Sequence, residues 1–277
     1  IPLLRPEFCQ PALVPAFTAC YRDLLPLADQ IFAISEATAR DVERCAPRLG
    51  LSLARPVRAV PVGSGFSDTP APTAADLPAG LAPGGYALIV ATLEARKNHL
   101  LLFQAWRRLL AEMPPDSVPQ LVFAGRQGWL VGDLMTQIET CGRLGGKLVL
   151  VDNPTDAELA ALYRGCRFTL FPSHYEGWGL PVSESLAFGK ACIASSAASV
   201  PEAGGRFCLY HDPDDTLGAT ALIRRAIEHP AEIAALEARI AQGFRPVPWS
   251  ATAAAVLAGL EPPPAPAARA LAGAAAR

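Results

Sequence analysis

A chain of 277 residues is long enough to bury one large core or two smaller ones. Its net charge of −2, from 24 basic and 26 acidic residues, supplies no basic surface for nucleic acid. Seven cysteines without a C-x-x-C spacing and four scattered histidines argue against a disulfide framework or a metal site, and for buried free thiols in a reducing compartment.

The chain begins at Ile1 rather than methionine, and is expected to be a fragment. Residues 28–35 read as a strand, 36–43 as a helix capped by Ser35, and 57–62 as a second strand. Two strands do not make a stable open sheet unaided, so residues 1–62 read as the C-terminal part of an incomplete domain. Residues 63–84, rich in Pro, Gly, Ala and Ser, read as a linker. From residue 85 strands and helices alternate. Strands are expected at 86–92, 120–124, 147–151, 167–171, 191–195 and 207–210. Helices are expected at 98–113, 130–141, 156–166, 180–188, 214–229 and 231–242, with Thr155 and Glu158 as a capping box. Apolar strands alternating with amphipathic helices predict an α/β fold with a parallel sheet covered on both faces, spanning residues 85–248. Residues 249–262 are expected to form a helix that crosses back to the first domain, and the Pro/Ala tail 263–277 to be disordered. No apolar run reaches membrane-span length and no signal peptide is visible, so a cytoplasmic location is expected.

The most informative stretch is Glu176-Gly-Trp-Gly-Leu-Pro-Val-Ser-Glu184, a tight loop between an apolar strand and a helix that Gly189 ends. Glycines let a ligand approach the backbone, and the helix N-terminus offers free N–H groups to an anion. Glu176 precedes that anion site and Glu184 lies about one turn beyond it. Carboxylates accept hydrogen bonds from hydroxyls, so the arrangement suits a phosphate flanked by two polyols, as in a nucleotide-sugar. Ligands of open parallel sheets bind at the carboxyl ends of the strands, where this loop and the loop 92–98 both lie. The latter, Thr92-Leu-Glu-Ala-Arg96-Lys97-Asn98, carries two adjacent cations. Phe103 and Trp106 fall at helical core spacing and read as packing.

The glutamate spacing resembles the nucleotide-sugar motif of retaining glycosyltransferases with the GT-B fold, family 4 type. The run from Ala28 to Asp41 is also similar to one in the N-terminal domain of that family. The resemblance covers about residues 1–260. It implies two Rossmann-like domains, the first lacking on the order of one hundred residues. The resemblance gives Glu176 to the donor sugar, Glu184 to the ribose, and Gly177, Trp178, Gly179 and Leu180 to the diphosphate. Lys97 and Arg96 match the diphosphate loop in its "RKN" form, although Thr92 stands where many members carry Arg. Gly125, Arg126 and Asn153 fall in loops that line the base pocket in the family; turn chemistry alone also accounts for them. Glu202 is left open between a structural role and donor contact, and His174 reads as non-catalytic. The catalytic histidine of the family would precede Ile1. The implied reaction is retaining, metal-independent transfer of a hexosyl group, mannosyl favoured, from a GDP- or UDP-sugar to a glycan or lipid-linked acceptor in bacterial polysaccharide assembly. No cofactor is implied, and peripheral membrane association through the missing domain is left open. The alternatives are a non-catalytic nucleotide-sugar-binding remnant and a GT-B sugar-nucleotide epimerase.

Overall fold

The computed structural model describes residues 1–64 and 77–260. Most of the expected linker and the whole expected tail lie outside the described residues.

The N-terminal segment contains α1 (Leu13–Leu24), β1 (Phe32–Ala33), α2 (Glu36–Arg48) and β2 (Arg58–Ala59). The Ser35 hydroxyl caps α2 by accepting from Thr38 N at 2.9 Å, as its sequence predicts. The two strands pair in parallel but over only two residues each, shorter than expected. Among the described residues each lacks a further neighbour, so the ladder does not propagate. Helix α1 was not anticipated. Pro15 sits in its first turn, where proline is tolerated, and no residue of the helix is buried. Leu25, Ala33, Val42, Ala46 and Val57 make a small core for this segment.

The larger unit carries a six-stranded parallel sheet with β3 (Tyr86–Val90), β4 (Gln120–Ala124), β5 (Leu148–Val151), β6 (Phe168–Phe171), β7 (Cys192–Ser195) and β8 (Cys208–His211). Between them run α3 (His99–Glu112), α4 (Gly132–Thr140), the short α5 (Gly142–Gly145), α6 (Asp156–Gly165), α7 (Leu180–Ala187) and α8 (Val200–Gly204). Helices α9 (Thr216–Glu228), α10 (Pro230–Gly243) and α11 (Trp249–Leu260) follow. The expected capping box at Thr155 and Glu158 forms. Side chains alternate across the sheet: Ala87, Ile89, Leu121 and Phe123 enter one core, Tyr86, Leu88, Val122 and Ala124 the other. Phe103 and Trp106 are buried in the first. Leu77 and Leu81, within the expected linker, pack against the second.

The strand order is β5-β4-β3-β6-β7-β8. The chain runs outward from β3 to β5, returns to pair β6 beside β3, and runs outward again. The crevice between the carboxyl ends of β3 and β6 is therefore the topological switch point at which ligands of such sheets bind. The loops 91–98 and 172–179 leave these two ends.

Candidate active site

The first loop forms a single 3-10 turn, Ala95–Lys97, followed by Asn98 in the left-handed region (φ 58°). Helix α3 thus starts at His99, one residue later than expected, because Asn98 has another task. Its Nδ2 donates to Pro172 O at 3.2 Å and Pro213 O at 2.9 Å, tying the loop to its neighbour. Lys97 and Arg96 stand just before the positive end of α3, where a cation is disfavoured, and are held there by carboxylates.

Both cations reach Glu176. Lys97 Nζ lies 2.7 Å from Oε1 and Arg96 Nη1 2.6 Å from Oε2. Arg96 also pairs with Glu94 through Nη2 and donates to Tyr175 O at 2.9 Å. Glu176 is only 8% exposed. Burial raises its carboxyl, but the charges of Lys97 and Arg96 outweigh that, so its pKa falls below the ordinary value and it is ionised at neutral pH. Arg96 sits between two carboxylates, Glu94 and Glu176. Its pKa rises because these outweigh its own desolvation. Lys97 Nζ also lies 5.2 Å above the Phe171 ring. Glu94, 2% exposed, was not singled out from the sequence; its spacing of two from Arg96 was the available signal.

The loop that presents Glu176 is fixed through its carbonyls. Ser195 Oγ donates to Ser173 O at 2.7 Å. Ser199 Oγ lies 2.9 Å from Glu176 O and 3.0 Å from Trp178 O. Thr38 Oγ1 donates to Gly177 O at 3.1 Å, and His174 N donates to Arg96 O at 2.9 Å. With the carbonyls turned to these partners, the N–H groups of Trp178, Gly179 and Leu180 find no acceptor among the described residues. Gly179, at φ 122°, takes a conformation that suits glycine and opens α7. Trp178 is half-buried and donates its indole N–H to Ser183 Oγ at 3.2 Å. The arrangement offers an anion a helix N-terminus with free donors beside two cations.

Glu184 lies in the second turn of α7 and accepts from Tyr163 O–H at 2.8 Å. Burial raises its pKa, and the tyrosine hydrogen bond opposes this only in part. Leu180 is exposed at the helix start. Gly125 follows β4 at φ 148°; a Cβ there would stand 2.1 Å from Ala91 O, so the glycine lets the two strand ends close on each other. Arg126 is exposed and its carbonyl accepts from Leu93 N at 2.9 Å. Asn153 is exposed with φ 45° beyond β5. Neither Arg126 nor Asn153 bonds to the Glu176 cluster. Both stand at strand ends on the β5 side of the crevice. His174 stacks on Phe8 with ring centroids 5.0 Å apart and lies 3.0 Å from Asp214, away from the cluster.

Residues 83–208 match the family model described as glycosyl transferases group 1. The chain is 34% identical over 148 residues to the O-antigen chain mannosyltransferase B of Escherichia coli, covering 53% of this chain and 38% of that protein. It is 28% identical over 177 residues to the serotype-specific mannosyltransferase WbdA of the same organism, covering 64% and 22%. It thus spans well under half the length of these curated relatives. Among solved structures, Anabaena Alr3699/HepE in complex with UDP and glucose superposes with a TM-score of 0.71 at 17% identity, covering 93% of this chain and 69% of that one. Sucrose-phosphate synthase from Thermosynechococcus elongatus gives 0.62 at 23% identity, covering 88% and 60%. Residues 83–208 are therefore similar to the glycosyl transferases group 1 family, on an α/β fold of the GT-B type.

Proposed function

We propose that this protein transfers a hexosyl group, mannosyl in preference, from a nucleotide-sugar to a glycan or lipid-linked acceptor with retention of configuration. The observation that carries this reading is the convergence of Lys97 and Arg96 on Glu176 beside the open N-terminus of α7, at the switch point of the sheet. Breaking the bond from C1 of the sugar to the diphosphate leaves negative charge on the departing oxygen. Two fixed cations and a helix N-terminus are complementary to that charge as it develops. Without donor, Glu176 occupies both cations. With donor bound, the diphosphate takes them, and the carboxylate turns to accept hydrogen bonds from the sugar hydroxyls.

In this reading Glu184, one turn along α7, accepts from the ribose, and the strand ends bearing Gly125, Arg126 and Asn153 flank the base. The acceptor hydroxyl attacks C1 from the face the diphosphate leaves, and its proton passes to the departing phosphate oxygen. The cations here do the work of a divalent metal. Mannosyl transfer and polysaccharide assembly are supported by the names of the two E. coli relatives. A uracil base is supported by HepE, which is described with UDP; a guanine base rests on the family resemblance alone. No helix among the described residues is long and apolar enough to cross a membrane, so contact with a lipid-linked acceptor is proposed as peripheral.

Calorimetric titration of the 277-residue chain with GDP and with UDP tests the donor site. Binding of at least one is expected. Folded protein that binds neither at millimolar concentration would overturn the reading. The anomeric configuration of the product, read by NMR, tests retention, and unchanged turnover in excess chelator tests metal independence.

A further inference from the structure

We propose that Glu202 is a positioning residue, latching α2 of the N-terminal segment onto the loop that carries Glu176. The proposal rests on the reading of that loop as the donor site. A helix exposes the N–H groups of its first turn, and its own cap satisfies only part of them. In α2, Ser35 takes Thr38 N. The two remaining donors, Glu36 N and Ala37 N, go to Oε2 and Oε1 of Glu202, at 2.7 and 2.8 Å. A carboxylate from 165 residues further along the chain thus completes this helix end and meets its partial positive charge. Arg40 stands 3.8 Å from the same carboxylate.

The residue three positions earlier in the chain explains why this contact bears on the chemistry. Ser199 holds the carbonyls of Glu176 and Trp178, and Glu202, on α8, holds α2. One short segment therefore fixes the sugar-facing loop on one side and the N-terminal helix on the other. Helix α2 also bonds that loop directly. Thr38 reaches Gly177 O, and Tyr175 O–H donates to Asp41 Oδ2 at 2.5 Å. The Ile34 side chain lies against Gly177, where a Cβ would stand 3.1 Å from it. The arrangement sets the spacing between the acceptor-side helix and Glu176, on which in-place attack depends. Glu202 itself bonds only α2 and touches none of the groups assigned to the nucleotide, so loss of the latch is expected to lower turnover more than it weakens nucleotide binding.

Glu202→Ala and Glu202→Gln in the 277-residue chain test this. Hydrogen exchange read by mass spectrometry at residues 36–38 and 175–177 is expected to rise about tenfold or more in the alanine variant. The glutamine variant, with one acceptor oxygen, is expected to fall between it and the parent. Hydrolysis of GDP-mannose is expected to show a kcat reduced about tenfold with donor KM within about twofold, partly restored by glutamine. Unchanged exchange overturns the latch. Raised exchange with unchanged kcat overturns the positioning role. If the parent binds no nucleoside diphosphate, the donor reading fails, while the exchange result still decides whether Glu202 holds α2.

Discussion

Lys97 and Glu176 divide labour within 2.7 Å of each other. On the proposed reading, Lys97→Ala removes a charge that the leaving group needs late in the reaction. Turnover is expected to fall about 30- to 1000-fold, or about 2–4 kcal/mol, with free-nucleotide affinity changed much less. Single-turnover kinetics beside calorimetry separate the two, and activity within a few-fold of the parent would pass the role to Arg96. Glu176→Gln frees both cations from their internal partner. GDP is then expected to bind as tightly as before or a few-fold tighter, while turnover of the sugar donor drops. Glu184→Ala has the opposite signature, weakening free GDP about tenfold through loss of the ribose acceptor. The reverse pattern in the two titrations would mean that the donor lies the other way round. The positions of Glu176 and Glu184 stand out in the sequence because their spacing falls within one strand-loop-helix unit, and Arg96 and Lys97 stand out through the resemblance of the loop 92–98 to the family's diphosphate loop. Glu202 stands out in the sequence only as open between a structural role and donor contact, because the α2 donors it meets are brought near by tertiary folding.

At the scale of elements, the strands and helices after residue 85 fall within a few residues of their expected limits. Apolar runs ended by glycine or opened by Thr155 leave little choice, and Gly189, at φ 72°, stops the chain after α7 as read. The N-terminal segment was less legible. Residues 28–35 carry strand composition but have one partner strand, so only Phe32–Ala33 pair, while the prolines around α1 hid a helix. Gly125 shows how element ends decide the site. Gly125→Ala would force a Cβ to 2.1 Å from Ala91 O at a φ of 148°. It is expected to cost about 3 kcal/mol, measured as a lower urea midpoint, and to push apart the ends of β3 and β4 next to the Arg96 loop. A midpoint equal to the parent would show that the strand ends yield freely.

Over the whole molecule, one buried histidine makes the fold sensitive to acid. His99 opens α3 with 1% exposure, packs edge-on against Phe123 at 4.8 Å, and neither ring nitrogen finds a partner among the described residues. Burial, helped by the charge of Lys97, pushes its pKa from 6.5 down to about 3. Between those values the unfolded chain binds a proton that the folded chain refuses. The stability is therefore complete above pH 6.5 and is lost as pH falls toward 3, at about 1.4 kcal/mol per pH unit. His99→Phe is expected to flatten this part of the profile, seen as a smaller drop in urea midpoint between pH 7 and pH 5. Parallel profiles for parent and variant would place the acid sensitivity elsewhere.

The chain passes between its two parts at adjoining points. Ser64 N donates to Val247 O at 3.0 Å and Gly63 N to Thr252 Oγ1 at 2.9 Å, while a Cβ on Gly63 would strike the Trp249 ring at 2.5 Å. Helix α11 then lies on the N-terminal segment, with Gly259 against Phe32. The outgoing and returning stretches thus meet at one place, as two pages meet at a spine. The bare Cα of residue 63 lets the indole ring of Trp249 close on the outgoing stretch.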